Sequence, residues 1–96
     1  MPTYISMLRY TQQGISAIKN APARIDAAKD AYRKAGGELK SIYLTLGQYD
    51  VVAIAEMPDD EAVARMALAL GAQGNIRSET MRAFSEADFR KIVGTL

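Results

Sequence analysis

The fold of this chain is decided by the stretch LGQYD, residues 46–50, which lies between two apolar runs rich in β-branched and aromatic residues. The two runs extend over Leu39–Leu46 and Val51–Met57. Gly47 suits a chain reversal because glycine readily adopts positive φ, and the Asp50 carboxylate can accept backbone N–H bonds across the loop. The stretch therefore predicts a β-hairpin that joins a second strand to a third.

Two further strands and three helices are predicted from the spacing of the apolar residues. Thr3–Tyr10 and Ile76–Phe84 have the composition of strands, and residues 15–20 are expected to form a loop or a single helical turn. Helices are predicted over Pro22–Ala35, over Asp59–Leu70 and from Ser85 onward. Their apolar stripes, which we expect to face inward, are Ile25, Ala28, Tyr32 and Ala35, then Val63, Met66, Ala67 and Leu70, then Phe89, Ile92, Val93 and Leu96.

The predicted helix ends depend on capping residues. Asn20, Asp59 and Ser85 precede the three helices, and their side chains can accept hydrogen bonds from the N–H groups of the first turn. A pair of glycines is expected to stop the first helix, and Gly71 and Gly74 are expected to end the second.

The element order β-α-β-β-α-β-α predicts a four-stranded antiparallel sheet with helices on one side, which is the ferredoxin-like arrangement. One face of the third strand carries Val51, Ala53, Ala55 and Met57, and the other carries Val52, Ile54 and Glu56. Because both faces are apolar, a monomer would expose more apolar surface than soluble monomers usually leave uncovered. We therefore predict that two copies pack sheet to sheet as a homodimer, alone or within a higher oligomer.

Composition excludes several classes of site. The 96 residues are expected to form one domain spanning 1–96, with 12 basic and 11 acidic residues and a formal net charge of +1. Because these charges are interleaved, no nucleic-acid or membrane partner is expected, and Arg24 should lie on a solvated outer face.

Without Cys or His, there are no disulfides, thiol nucleophiles, His triads or Cys- or His-ligated metals. No cofactor or metal is predicted, and the absence of a signal peptide or membrane span favours a cytoplasmic protein.

Several blocks of the chain resemble the GYD-domain family. The hairpin block is Gly47-x-Tyr49-Asp50, and the others are Met1-Pro2-Thr3-Tyr4, Thr11-x-x-Gly14-Ile15, Gly71-x-x-Gly74-Asn75-Ile76-Arg77-x-Glu79-Thr80 and Ala83-Phe84-Ser85-Glu86. The resemblance covers nearly the whole chain. It implies a fold similar to the dimeric α/β-barrel proteins, in which two ferredoxin-like sheets face one another, and it implies no particular activity. The first strand in the family tends to end in Trp, where this chain has Tyr10, so a pocket built on that indole would be reshaped.

Six residues are candidates for contact with a ligand, and they are Tyr10, Tyr43, Tyr49, Asp50, Glu56 and Arg77. The phenols would offer rings and hydroxyls, the guanidinium would hold an anion, and Glu56 would serve as a base inside a closed barrel. A structural role competes at each position. Gly47, Tyr49 and Asp50 also form a plausible turn motif, and tyrosines suit a dimer interface.

The strand charges also have two interpretations. Arg9, Arg77 and Arg82, together with Glu56 and Glu79, would form a polar cluster inside a barrel if they converged. Alternatively, they form cross-strand ion pairs at the sheet edge or the dimer rim, each worth roughly 0.2–1 kcal/mol.

Two kinds of function are consistent with these patterns. The first is a non-catalytic homodimer, either structural or binding a small apolar or aromatic molecule in a cavity between facing sheets. The alternative is a small cofactor-independent enzyme, oxygenase- or isomerase-like, that holds a reactive substrate inside the barrel. Without His, such an enzyme would depend on Tyr, Arg, Glu56 or Asp50 for proton transfer. No residue is assigned a catalytic role.

Overall fold

The computed structural model describes residues Met1–Leu96. Its elements are β1 (Thr3–Tyr10), α1 (Gln12–Ser16), a 3-10 turn (Ile18–Asn20), α2 (Ala21–Lys34), β2 (Glu38–Leu44), β3 (Val51–Glu56), α3 (Asp60–Ala72), β4 (Ile76–Ala83) and α4 (Glu86–Gly94). The strands form one antiparallel sheet in the order β2-β3-β1-β4. This confirms the predicted hairpin and the predicted ferredoxin-like arrangement, with α4 added at its end.

The two faces of the sheet differ in what covers them. On one face, which we call the helix side, α2 packs along β2 and α3 packs along β4. Burial alternates along β3, where Val51, Ala53 and Ala55 are buried against the helix side while Val52 and Ile54 are partly exposed. We call the second face, over which no helix packs, the open face. Its apolar members are Ile5, Met7, Tyr43, Val52, Ile54 and Met81.

The packed core is small. Tyr4, Met57 and Met66 form its centre, and Tyr32 and Leu70 are among the partly buried residues that pack around them. Only 7 of the 96 residues are buried. The chain therefore gains little from its own core, and covering its remaining apolar surface would add stability.

The first helical segment departs from the prediction. The single turn expected within residues 15–20 is present as the 3-10 turn, but the helix α1 before it, which begins at Gln12, was not predicted. It begins there because the Thr11 side chain accepts a hydrogen bond from the Gly14 N–H at 3.1 Å. Thr11 is a residue type that favours helix starts, but a helix of 5 residues is too short to show periodicity.

α1 is held against the turn that precedes β4. The Thr11 N–H donates to the Asn75 carbonyl oxygen at 3.1 Å, and the Thr11 hydroxyl donates to the Gly74 carbonyl oxygen at 2.5 Å. Gly14 is buried so closely against Asn75 that a Cβ on it would overlap the Asn75 carbonyl. Two separate blocks of the family resemblance are therefore in direct contact with each other.

Helix capping follows the prediction at two of three positions. The Asp59 carboxylate accepts from the Ala62 N–H at 2.8 Å, and the Ser85 hydroxyl accepts from the Asp88 N–H at 3.1 Å. Asn20 occupies the N-cap position of α2 as predicted, but its side chain makes no capping bond, because its backbone is already helical at the end of the 3-10 turn. Gly71 was wrongly placed, because it lies inside α3.

Two chain segments lie outside their predicted environment. β2 ends at Leu44 rather than Leu46, and Leu46 is 98% exposed in the hairpin loop.

The apolar stripe of α4 was expected to face inward, but it does not contact the core. Its members Phe89, Ile92, Val93 and Leu96 are 62%, 45%, 51% and 98% exposed. Periodicity shows that a helix has an apolar face, but it does not show which surface that face meets.

No helix is both long enough and apolar enough to cross a bilayer.

Candidate functional site

The hairpin loop closes around Gly47. Its φ is +122°, which confirms the positive φ that the sequence predicted for the chain reversal. The loop is fastened at its base, where the Thr45 N–H donates to the Asp50 carbonyl oxygen at 2.8 Å. The Thr45 hydroxyl also donates to the Tyr49 carbonyl oxygen at 2.7 Å. The loop is therefore closed by hydrogen bonds between its own residues.

Asp50 attaches this loop to the end of β1. Its N–H donates to the Leu8 carbonyl oxygen at 2.9 Å, which extends the β1–β3 ladder by one bond. Its carboxylate accepts from the Tyr10 N–H, also at 2.9 Å. Both bonds are structural, and they account for the aspartate at this position without a ligand.

Tyr49 lies on the open face in a small polar cluster that we call the hairpin network, formed by Arg9, Gln48, Tyr49 and Glu79. The Arg9 guanidinium lies 4.7 Å from the centre of the Tyr49 ring, and its Nε donates to the Gln48 carbonyl oxygen at 2.8 Å. The Tyr49 hydroxyl donates to Glu79 Oε2 at 2.7 Å. This hydrogen bond is the main cause that raises the pKa of Tyr49 above its ordinary value, because it favours the protonated phenol.

The open face has an apolar centre with charged ends. Cross-strand pairing places Ile5 between Ile54 and Met81, and Met7 beside Val52. Arg9 lies opposite Arg77 at one end of the face. At the other end, Glu38 lies opposite Glu56, and Lys40 Nζ lies 3.5 Å and 3.6 Å from their carboxylates. An apolar centre bounded by charges is the usual organisation of a protein interface.

The structure does not bring all six candidate ligand residues together. Tyr43, Tyr49, Glu56 and Arg77 lie on the open face, whereas Tyr10 lies on the helix side. Glu56 pairs with Thr3 at one end of β1, and Arg77 pairs with Arg9 at the other end. Because Thr3 and Arg9 are six residues apart along the strand, Glu56 and Arg77 are about 20 Å apart. Their roles in ligand binding stay predictions.

Arg82 does not join the polar cluster that was predicted, as one alternative, to lie inside a barrel. Its guanidinium lies on the helix-side edge of the sheet, 4.4 Å from the Phe84 ring centre and 5.9 Å from that of Tyr4. It is therefore on the opposite face from Arg9 and Arg77, because side chains alternate along a strand.

The sequence did not predict an apolar cavity of about 120 Å³ on the helix side. It lies between α2 and α3, over β1 and β3, and 17 of its 22 lining residues are hydrophobic. Among them are apolar stripe residues that the sequence assigned to a filled core, such as Ile25 and Leu70. Whether two helices close over a sheet or leave a gap depends on packing volumes, which periodicity does not reveal.

Arg24 is a second correction. The sequence placed it on a solvated outer face, but it is partly buried and lines this cavity. Its guanidinium donates only to the Ala17 carbonyl oxygen at 3.3 Å and the Gly14 carbonyl oxygen at 3.4 Å.

Two further tyrosines on the helix side also have raised pKa values. The Tyr4 hydroxyl donates to Asp60, and this bond is the main cause of its raised pKa. Burial raises the pKa of Tyr32. Like Tyr49, these phenols are held more firmly in the protonated form at neutral pH, which makes them poor general bases.

Comparison with known proteins gives one family and several similar folds. The sequence profile of the GYD domain matches residues 4–93. A relative from Thermus thermophilus, named glutamine synthetase and cystathionine beta-lyase binding protein, is 33% identical over 89 residues, which make up 92% of this chain and 94% of the relative.

Three solved structures share the fold. TTHA0845 from Thermus thermophilus has a TM-score of 0.54 at 24% identity, covering 88% of this chain and 95% of its own. FFRP-DM1 has a TM-score of 0.62 at 15% identity, with coverages of 88% and 100%. The leucine response regulatory protein LrpA of Mycobacterium tuberculosis has a TM-score of 0.57 at 13% identity, with coverages of 88% and 51%.

Proposed function

Because the chain belongs to the GYD-domain family, whose profile covers residues 4–93, we propose that residues 1–96 form one GYD-type domain that acts as a non-catalytic homodimeric binding protein. Its open face binds a second copy of the chain, and the dimer binds other proteins. The observation that carries the proposal is the open face itself, with its apolar centre and its charged ends.

The open face suits a second copy because its two ends carry opposite charges. Arg9 and Arg77 make one end basic, while two carboxylates share a single lysine at the other. A copy turned so that its strands run in the opposite direction brings the basic end of each sheet to the acidic end of the other. Complementary charges of this kind fix the register of an interface, while the apolar centre supplies most of its free energy.

The name of the Thermus relative supports a protein-binding role. That relative is 33% identical to this chain and is named for binding glutamine synthetase and cystathionine beta-lyase. We propose that this chain binds metabolic enzymes of the same kind.

The dimer is tested by Ile54→Asp, which puts a charge at the centre of the open face. In light scattering at micromolar concentration, the parent chain should have the mass of a dimer and the variant that of a monomer. Leu68→Asp is the matched control, because Leu68 is 75% exposed on α3, away from the open face. A monomeric parent, or an Ile54→Asp variant that dimerises like Leu68→Asp, would contradict the assembly.

The protein-binding role is tested with purified glutamine synthetase and cystathionine beta-lyase from the organism that carries the chain. Surface plasmon resonance with the immobilised parent should give saturable binding of at least one enzyme. An unrelated enzyme of similar size and charge is the control. If neither enzyme binds more than this control, the chain does not share the role for which its relative is named.

A further inference from the structure

We propose that the helix-side cavity binds a small carboxylic acid with an aromatic or branched apolar body, and that Arg24 binds its carboxylate. This inference goes beyond the proposed function, because the cavity lies on the opposite side of the sheet from the dimer surface and is complete within one chain. It also differs from the predicted site between facing sheets.

The size of the cavity fits one ring or one branched chain. Its volume is about 120 Å³, and an engineered apolar cavity of about 150 Å³ in another protein binds benzene. Ala28, Ala53 and Ala55 are among its lining residues, and these small side chains leave the space that larger core residues would fill. Ser78 and Thr80 line the cavity and are exposed, so the site has an opening to solvent.

Arg24 gives the cavity a charged end. α2 begins just after the segment that follows Tyr10, so its first turn, and Arg24 with it, lies at the Tyr10 end of the sheet. The Arg24 guanidinium takes part in no ion pair and makes only two long bonds to carbonyl oxygens. A partly buried guanidinium without a carboxylate partner favours an anionic ligand, which it can hold by two parallel hydrogen bonds.

The lining also argues against amino acids and amines. No Asp or Glu is among the residues that line the cavity, so an ammonium group would be desolvated there without a counter-charge. The chemistry of the lining therefore selects acids such as phenylacetate over phenylalanine or phenethylamine. Toluene, which keeps the ring and lacks the charge, would lose the contact with Arg24.

Titration of the parent chain with sodium phenylacetate, followed by 1H–15N NMR, tests this inference. We expect saturable shifts at Ala28, Ala53 and Ser78 rather than at Val52 and Ile54 on the open face. Arg24→Gln should weaken phenylacetate binding roughly tenfold, because a charge-assisted hydrogen bond is lost. Arg33→Gln is the control, since Arg33 is on the same helix and exposed.

A second pair of variants tests the space rather than the charge. Ala28→Leu should fill the cavity and abolish binding, while Ala27→Leu, on the exposed side of α2, should bind like the parent. This pair decides the question even if Arg24→Gln fails to fold.

Four results would overturn the inference: no saturation by phenylacetate, equal binding of phenethylamine, unchanged binding by Ala28→Leu, or shifts centred on the open face. A folded Arg24→Gln variant that binds like the parent would also overturn it. The monomeric Ile54→Asp variant should still be saturated by phenylacetate, with an affinity that coupling to dimerisation changes but does not abolish, so failure of the dimer and failure of this site are distinguishable.

Discussion

Single residues in the hairpin loop act mainly through the backbone. The sequence correctly identified Gly47 as the residue of positive φ and Asp50 as an acceptor of backbone N–H bonds. It did not show that the Asp50 carboxylate reaches the Tyr10 N–H on a different strand, because that contact depends on how β1 is placed beside the hairpin. The residue types of a turn can be recognised from the neighbouring sequence, whereas the hydrogen-bond partner of a side chain on another strand depends on how the strands pair.

Gly47→Val should destabilise the fold by about 1–3 kcal/mol, because a β-branched residue is strained at positive φ. A Cβ at this position meets no atom within 4 Å, so the cost is one of backbone conformation alone. Urea denaturation should show the loss. Gly71→Ala is the control, since Gly71 also has open space around it but lies inside α3, where alanine should be neutral or stabilising.

Asp50→Ala should cost about 1 kcal/mol, because the Tyr10 N–H loses its acceptor. The midpoint of thermal unfolding measures this loss, with Asp26→Ala on the exposed part of α2 as the comparison. If the two variants melt alike, the aspartate does not serve the turn, and its candidate role in ligand binding should be pursued instead.

Tyr49 should affect stability at alkaline pH. A phenol in the unfolded chain titrates near its ordinary pKa of 10.0, and the hydrogen bond to Glu79 holds the pKa of Tyr49 above that value in the folded protein. The stabilising effect is therefore complete below pH 10 and is lost as the pH rises through the folded pKa. Above pH 10, the urea midpoint of unfolding should fall less steeply with rising pH in Tyr49→Phe than in the parent. Equal slopes in Tyr49→Phe and the parent would contradict this prediction.

Among the elements, the strands and the two long helices could be predicted because each repeats a regular pattern. The alternation in β3 and the stripes of α2 and α3 extend over enough residues to be distinguished from chance. α1 was missed because it is short and is held by tertiary bonds to the turn before β4. α4 was found, but its apolar face was assigned to the wrong surface, since the sequence does not say whether that face meets its own chain or another.

Deleting residues 85–96 should leave the fold of the remaining chain intact. The apolar side chains of α4 are all exposed, so the deletion removes no part of the core around Tyr4 and Met57. At concentrations low enough to keep the protein monomeric, the melting temperature should match that of the full chain. A large fall in melting temperature in such dilute solution would mean that α4 stabilises its own chain.

The whole molecule is more extended than a closed domain of its size. Its radius of gyration is 14.4 Å, whereas about 12 Å is expected for a compact chain of this length, and its longest dimension is 49 Å. The sequence predicted uncovered apolar surface from the two-sided strands, and the structure agrees on the open face. It did not predict the helix-side cavity or the position of Arg24 in its wall, because the gap between α2 and α3 follows from the volumes of side chains that are distant in sequence.

The end of β1 is shared by both faces of the sheet. Tyr10 lines the cavity, Arg9 stacks on Tyr49 over the open face, and Asp50 holds the Tyr10 N–H between them. We therefore expect an acid bound in the cavity to be thermodynamically coupled to dimerisation. Because such coupling is reciprocal, phenylacetate should change the dimer dissociation constant by the same factor by which dimerisation changes the affinity for phenylacetate. Sedimentation equilibrium with and without phenylacetate measures that factor, and a factor of one would show that the two faces act independently.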